Sequence, residues 1–202
     1  MKYISIPINK VKEENSLSVE YYLGTSNNSG LCLAEFCQVI RARGKTNSGL
    51  SLDTKAGNNG FLQLVSYGTD KSDARSHSKL LPKGCVGISK LRTYLRQVIC
   101  FSDEVANELG SESALISSEF LVLQPKNCSA YELSLILLSD SIQLHLQECT
   151  AGGHHPRVSE ELLLASRFDE NDVEMAKEKA TQFEQACVNY IKAQMILLKL
   201  LG

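Results

Sequence analysis

No apolar run in the 202-residue sequence reaches the roughly 18 residues that a membrane-spanning helix needs, so a membrane protein is not expected. The first residues, "MKYISIPINKVKEEN", have neither the apolar core nor the small-residue cleavage site of a secretory leader. There is no Cys-x-x-Cys. The seven cysteines (Cys32, Cys37, Cys85, Cys100, Cys128, Cys149 and Cys187) are odd in number and sit mostly among apolar neighbours. That usage fits reduced thiols in a cytoplasmic protein better than a disulfide framework. The Gly-x-x-x-x-Gly-Lys-[Ser/Thr] phosphate loop, the Gly-x-Gly-x-x-Gly fingerprint and the Gly-x-Ser-x-Gly elbow are all missing, which removes the commonest routes to nucleotide binding and serine hydrolysis.

The polar residues that remain give little sign of catalysis. His154 and His155 are adjacent, so they point apart in extended chain, and no Cys or carboxylate stands at zinc-like spacing from them. His77 reads as a surface residue and His145 as a packing one. Glu13–Glu14 and Glu160–Glu161 read as solvent-facing pairs, the second at a helix start. "GNNG" (57–60) reads as a turn.

What the sequence does have is segregated charge. The chain carries a formal net charge of −2, and its composition, 43% hydrophobic and 22% charged, is that of an ordinary globular domain. Between Gln38 and Gln97, however, eleven cations face three anions, a local net charge of +8 against −10 elsewhere. One basic surface on an acidic body follows if those cations converge. Within this stretch lies "VGISKLRTYLRQV" (86–98). As one strand it would align Lys90, Arg92, Tyr94 and Arg96 on one face and Leu91, Thr93 and Leu95 on the other, with a change of parity near Ser89. Two readings are open: a cation-protected sheet edge, or a surface that meets phosphates and bases, where Arg brings a planar fork and Lys a point charge.

The coarse element pattern is β-rich, then helical. "LCLAEFCQVI" (31–40) fits a helix or a strand. "RARGKTNSGLSLDTKAGNNG" (41–60) and residues 68–84 read as long polar connections, and 61–67, 85–88, 98–103 and 116–125 as strands. Ser129 and Glu132 form a capping box for a helix over 130–149, and Ser159 caps a short one through Ala165. From Asn171 onward Val173, Ala176, Ala180, Phe183, Cys187, Tyr190, Gln194, Leu197 and Leu201 recur at spacings of three and four, widened by Ile191 and Leu198. This heptad seam predicts a helix of about 46 Å at 1.5 Å per residue. Its stripe calls for a covering partner, most simply a second copy of the chain, with Gln194 setting register; folding back on its own domain would cover only part. The expected fold class is α+β: a β-rich domain with buried helices over 1–168 and a long coiled-coil helix over 169–202.

Three stretches, "LPKGCVGISKLRTYLRQVICF" (81–101), "SSEFLVLQP" (117–125) and "SAYELSLILLSDSIQLHLQECTAGGHHPRVSEELLLA" (129–165), together resemble the target-recognition domain of type I restriction-modification specificity subunits. "SVEYYLG" (18–24) and "LAEFCQVIRARGKT" (33–46) are similar to that family's opening segments, and the long helix to its spacer helix. The family's Pro-rich lead-in to that helix is replaced here by "SRFDENDVEMAKEK" (166–179). The resemblance implies a non-catalytic half-subunit that reads one half of a bipartite double-stranded DNA target and pairs through its helix as a homodimer. It implies a methyltransferase subunit as partner and, in the complete system, a restriction subunit. It implies no cofactor for this chain, which has no Asn-Pro-Pro-Tyr-like methyltransferase motif. The residues expected at DNA are Arg41, Arg43, Lys45, Lys55, Lys71, Arg75, Lys90, Arg92, Arg96 and Arg157; those expected at the helix pair are the nine of the seam. A second reading is an assembly module of the same family that no longer reads DNA.

Overall fold

The computed structural model describes residues 30–42, 50–52, 54–64, 78–91, 93–148 and 157–201. In chain order these form β1 (Leu31–Cys32), α1 (Leu33–Phe36), β2 (Cys37–Ile40), β3 (Ser51–Leu52), a 3-10 turn (Thr54–Ala56), β4 (Gly57–Asn58), β5 (Phe61–Leu62), β6 (Ser78–Pro82) and β7 (Cys85–Ser89). A second 3-10 turn (Thr93–Leu95) leads to β8 (Val98–Phe101), α2 (Asp103–Leu109), β9 (Ser113–Ser117), β10 (Phe120–Pro125), α3 (Ala130–Leu138), α4 (Asp140–Glu148), α5 (Glu160–Leu164), β11 (Arg167–Phe168) and α6 (Glu170–Leu201). The fold is mixed α+β, with several small sheets and one long C-terminal helix. Among the described residues no helix is long and apolar enough to cross a membrane.

The main sheet runs β2-β10-β7-β8, antiparallel throughout. Every residue of β7 and β8 is buried, as their short β-branched runs require. α3 covers this sheet with Leu133, Ile136 and Leu137, each no more than 1% exposed. A second sheet, β3-β9-β6, has β3 parallel and β6 antiparallel to β9. Its Ile116 reaches the main sheet at Gly87, where an added Cβ would stand 3.8 Å from Ile116 Cδ1. β1 pairs with β11, tying the first described strand to the last one before α6.

Several segments depart from the sequence reading. The polar connections expected over 41–60 and 68–84 carry β3 and β4, and β6, respectively, because strand pairing with β9 and with β5 recruits these residues despite their polar composition. The stretch 86–98 is not one strand. Ser89 Oγ accepts the Leu91 N–H at 3.2 Å, the backbone leaves the sheet, and the turn at 93–95 ends in Arg96 at φ 48°. A serine side chain offers the backbone an alternative to the ladder, so the parity argument stops at Ser89. The single helix expected over 130–149 breaks at Ser139, whose φ −60° and ψ 151° are extended. Ser139 Oγ accepts the Ile142 N–H at 3.4 Å and starts α4. The freed carbonyls at the end of α3 are taken by Gln143 Nε2, 2.7 Å from Leu137 O, and Arg96 Nη1, 3.3 Å from Leu138 O. The strand expected over 116–125 is two strands in different sheets: β9 ends at Ser117, a turn at Ser118–Glu119 follows, and β10 continues in the main sheet. The capping boxes hold: Ser129 Oγ accepts from Glu132 N–H at 3.1 Å, and Ser159 Oγ accepts from Leu162 N–H at 3.2 Å.

The long helix begins one residue before the predicted start and lies along its own domain. Ala176, Cys187 and Ile191 are buried, and Val173, Ala180 and Phe183 pack against the same core. Phe61 of β5 meets Phe183 and Tyr190 edge-on at 5.5 and 5.3 Å. Gln194 Nε2 donates to Leu62 O, and its Oε1 accepts the Leu64 N–H, both at 2.8 Å. The register Gln194 sets here is therefore helix against β5. Beyond Met195 the cover ends: Ile196, Leu197, Leu198 and Leu200 are exposed. Leu201 closes the helix, its side chain outside the described residues.

"GNNG" is the turn of the β4–β5 hairpin, with Asn59 and Gly60 both in the left-handed region at φ 50° and 85°. Gly60 also carries the helix: a Cβ there would stand 2.5 Å from Phe183 Cζ and 3.2 Å from Leu138 Cδ1. Gly60→Ala is expected to cost about 2–4 kcal/mol through backbone strain and overpacking, read as a lower denaturation midpoint in urea; an unchanged midpoint would place Phe183 elsewhere.

Candidate nucleic-acid interface

Four cations from separate parts of the chain meet around the turn that carries the chain from β9 in one sheet to β10 in the other. That turn is held by hydrogen bonds to its backbone. Ser117 Oγ accepts the Glu119 N–H at 3.3 Å, and the Lys90 N–H donates to Glu119 O at 2.8 Å. The residues after β7 are in turn paired with those before α5: Val158 N–H donates to Lys90 O at 3.1 Å, and Leu91 bridges Arg157 antiparallel. Lys90, Glu119 and Arg157 are thus brought side by side by main chain alone.

The side chains form a charge network. Arg157 grips Glu119 bidentately, Nη2 to Oε1 at 3.0 Å and Nε to Oε2 at 3.1 Å. Lys90 Nζ stands 4.0 Å from Glu119 Oε2. Lys79, on β6, donates from Nζ to Phe120 O at 2.8 Å. Burial, then the positive charge of Lys90, lowers the Lys79 ammonium below the ordinary lysine range. Arg41, just past β2, reaches Glu160 at the first position of α5, Nη2 to Oε2 at 3.1 Å, with its side chain 81% exposed. Arg41 and Glu160 also lie within electrostatic reach of Lys79. The Glu119 carboxyl is held below the usual carboxylate range, chiefly by the Arg157 hydrogen bonds, with Lys90 adding to the effect and burial opposing it.

Of the residues expected at DNA, the structure brings Arg41, Lys90 and Arg157 together. Arg96 lies elsewhere: its guanidinium binds Leu138 O and, at 2.7 Å, Asp140 Oδ1, so it closes the end of α3. Lys55 sits on the first 3-10 turn. Arg43, Lys45, Lys71, Arg75 and Arg92 lie outside the described residues, as do His77, Cys149, His154 and His155. Sequence reasoning did not single out Lys79, Glu119 or Glu160 for this face. Glu119 had a signal in "SSE", a polar interruption of an apolar run that marks a turn. Lys79 had none, since its place depends on which strand β6 pairs with.

Other groups are poorly placed for chemistry. Burial pushes the thiols of Cys37 and Cys187 up to about 12, and those of Cys85 and Cys128 to about 11, so they stay protonated and are weak nucleophiles. Burial lowers His145 below the ordinary imidazole range. Among the described residues no group of three or more His, Cys, Asp or Glu is placed to hold a metal ion.

Comparison with known proteins finds no family model that matches the chain and no matching curated protein.

The Glu119 network has a sign that titration reads. A carboxyl whose folded pKa is depressed stabilises the fold above its unfolded value, and that contribution is lost as pH falls through the folded value. Carboxyl-detected NMR is expected to find Glu119 titrating below 4.5, its ordinary value, in the native chain and returning toward 4.5 in Arg157→Gln. A native value at or above 4.5 would mean that the bidentate contact is not formed.

Proposed function

We propose that the chain is a non-catalytic DNA-recognition module of the type I restriction-modification specificity kind, reading one half of a bipartite target. The observation that supports it most is the meeting of Arg41, Lys79, Lys90 and Arg157 from four separate parts of the chain beside the turn between β9 and β10. Arg157 and Arg41 present planar forks suited to phosphate or to a guanine edge, while Lys79 and Lys90 add point charge. The resemblance of 81–101, 117–125 and 129–165 to the family's recognition domain supports the same reading, since this is the stretch that supplies Lys90, Glu119 and Arg157. In this reading methylation and cleavage belong to partner subunits. The exposed turn at Ile196–Leu200 is where α6 would meet its counterpart in a homodimer, the rest of the seam being occupied within the chain.

One observation favours a second reading, an assembly module without DNA reading. Two carboxylates, Glu119 and Glu160, already sit on the cations, and the end of α6 is apolar and open. A salt series separates the two. Contact with about four phosphates predicts that affinity of the full chain for a random-sequence duplex falls roughly 100-fold between about 50 and 200 mM salt. Arg41→Gln/Lys90→Gln/Arg157→Gln is expected to flatten the log–log slope by about three, and Arg96→Gln to lower stability with the slope unchanged. A flat salt response in the native chain, or an unaltered slope in the triple variant, would transfer the assignment to the assembly reading.

A further inference from the structure

The Glu119 carboxylate is an unusual guest in a basic cluster. It holds Arg157 by two parallel hydrogen bonds, the arrangement a phosphodiester offers with its two anionic oxygens, and it faces Lys90 at the same time. Among the described residues, main-chain contacts that do not involve that charge place its neighbours. The turn between β9 and β10 is fixed by the backbone of Glu119, through its N–H to Ser117 and its carbonyl to Lys90, and Arg157 is placed by its bridge to Leu91. The pair is reached by water from one side, the Arg157 side chain being 50% exposed and that of Glu119 24%.

We infer that Glu119 is a resident stand-in for phosphate: it occupies Arg157 and Lys90 in the free protein and is displaced when a nucleic-acid phosphate takes its place. This rests on the DNA-recognition reading and adds its regulation. An incoming phosphate gains Arg157 and Lys90 only by losing the carboxylate contact, and the released Glu119 then takes up a counterion. Both effects weaken binding that rests on charge alone. A duplex held in register by several contacts can still displace the carboxylate, whereas a chance encounter with one phosphate gains little. Glu119 thereby raises the ratio of specific to non-specific binding by penalising the latter, a repulsive element of the kind that selective interfaces use.

The test uses the full chain and a random-sequence duplex across a salt series, with Glu119→Gln as the main variant. Glutamine keeps the backbone anchors and the shape and loses the charge. Expected are a roughly five- to tenfold gain in affinity near 100 mM salt and a log–log salt slope steeper by about one. Glu112→Gln removes the same charge from the Lys83 pair and serves as the control, with a smaller gain expected. A second measurement needs no variant: the Arg157 Nε–H resonance of the native chain is expected to shift on adding duplex, as its acceptor changes from carboxylate to phosphate. An equal gain in Glu112→Gln would reduce the effect to net charge and overturn the inference. A loss of affinity in Glu119→Gln would make Glu119 a positioning residue for Arg157, also against it. An unmoved Arg157 resonance with duplex bound would do the same even if the variant failed to fold. If Lys90→Gln and Arg157→Gln lower affinity but Glu119→Gln gains none, only the stand-in role falls; if neither lowers affinity, the DNA reading falls with it.

Discussion

Burial of β7 and β8 on both faces is the constraint on which the remaining geometry rests. Val86, Val98, Ile99 and Phe101 are fully enclosed and Ile88 nearly so, and each contributes roughly 1.5–3 kcal/mol by leaving water. In a half-exposed strand a one-residue slip exchanges a core face for a solvent face. Here neither face is solvent, so a slip would misplace side chains on both. That locks Phe120 opposite Ser89. With that pairing fixed, Glu119 and Lys90, one residue beyond each partner, must be neighbours, and the end of the β7–β10 ladder becomes the place where charge collects.

The cluster is built as partly buried and exposed charge on rigid backbone. Its cations stand next to elements whose positions are set by packing, and each has a nearby acceptor: Glu119 for Arg157 and Lys90, Glu160 for Arg41, and Phe120 O for Lys79. Such a surface has its side chains placed by main-chain contacts, so the backbone anchors stay in place when a competing anion rearranges the ion pairs. Arg96 shows the opposite use of the same residue type. Its guanidinium satisfies a freed helix carbonyl at Leu138 and pairs with Asp140, a contact that belongs to the join between α3 and α4.

The long helix divides likewise. From Ala176 to Met195 its stripe completes the core of its own domain, with Phe183 seated over Gly60 and Gln194 bonded to the backbone around β5. The last turns carry its longest run of exposed apolar side chains. A heptad pattern reports that a stripe needs cover, and a neighbouring hairpin meets that need as well as a second helix does.

Much of the secondary structure was legible because its causes are local. The caps at Ser129 and Ser159, the Asn-Gly turn and the three-four spacing after Asn171 each depend on residues within a few positions. Other local signals were present and passed unread: Ser102 opening α2 with Gly110 closing it at φ 61°, and Ser139 splitting the helix. Concentration of charge between Gln38 and Gln97 was also visible, but a linear count cannot distinguish Lys90 at the cluster from Arg96 at a helix end. That distinction comes from strand pairing across long sequence separations, which joined Lys79 to β9 and set Arg157 beside Lys90. The sequence by itself determined which segments turn, cap and bury; only the tertiary structure decided which charges share a surface and what covers the helix, because those follow from contacts between residues far apart in the chain.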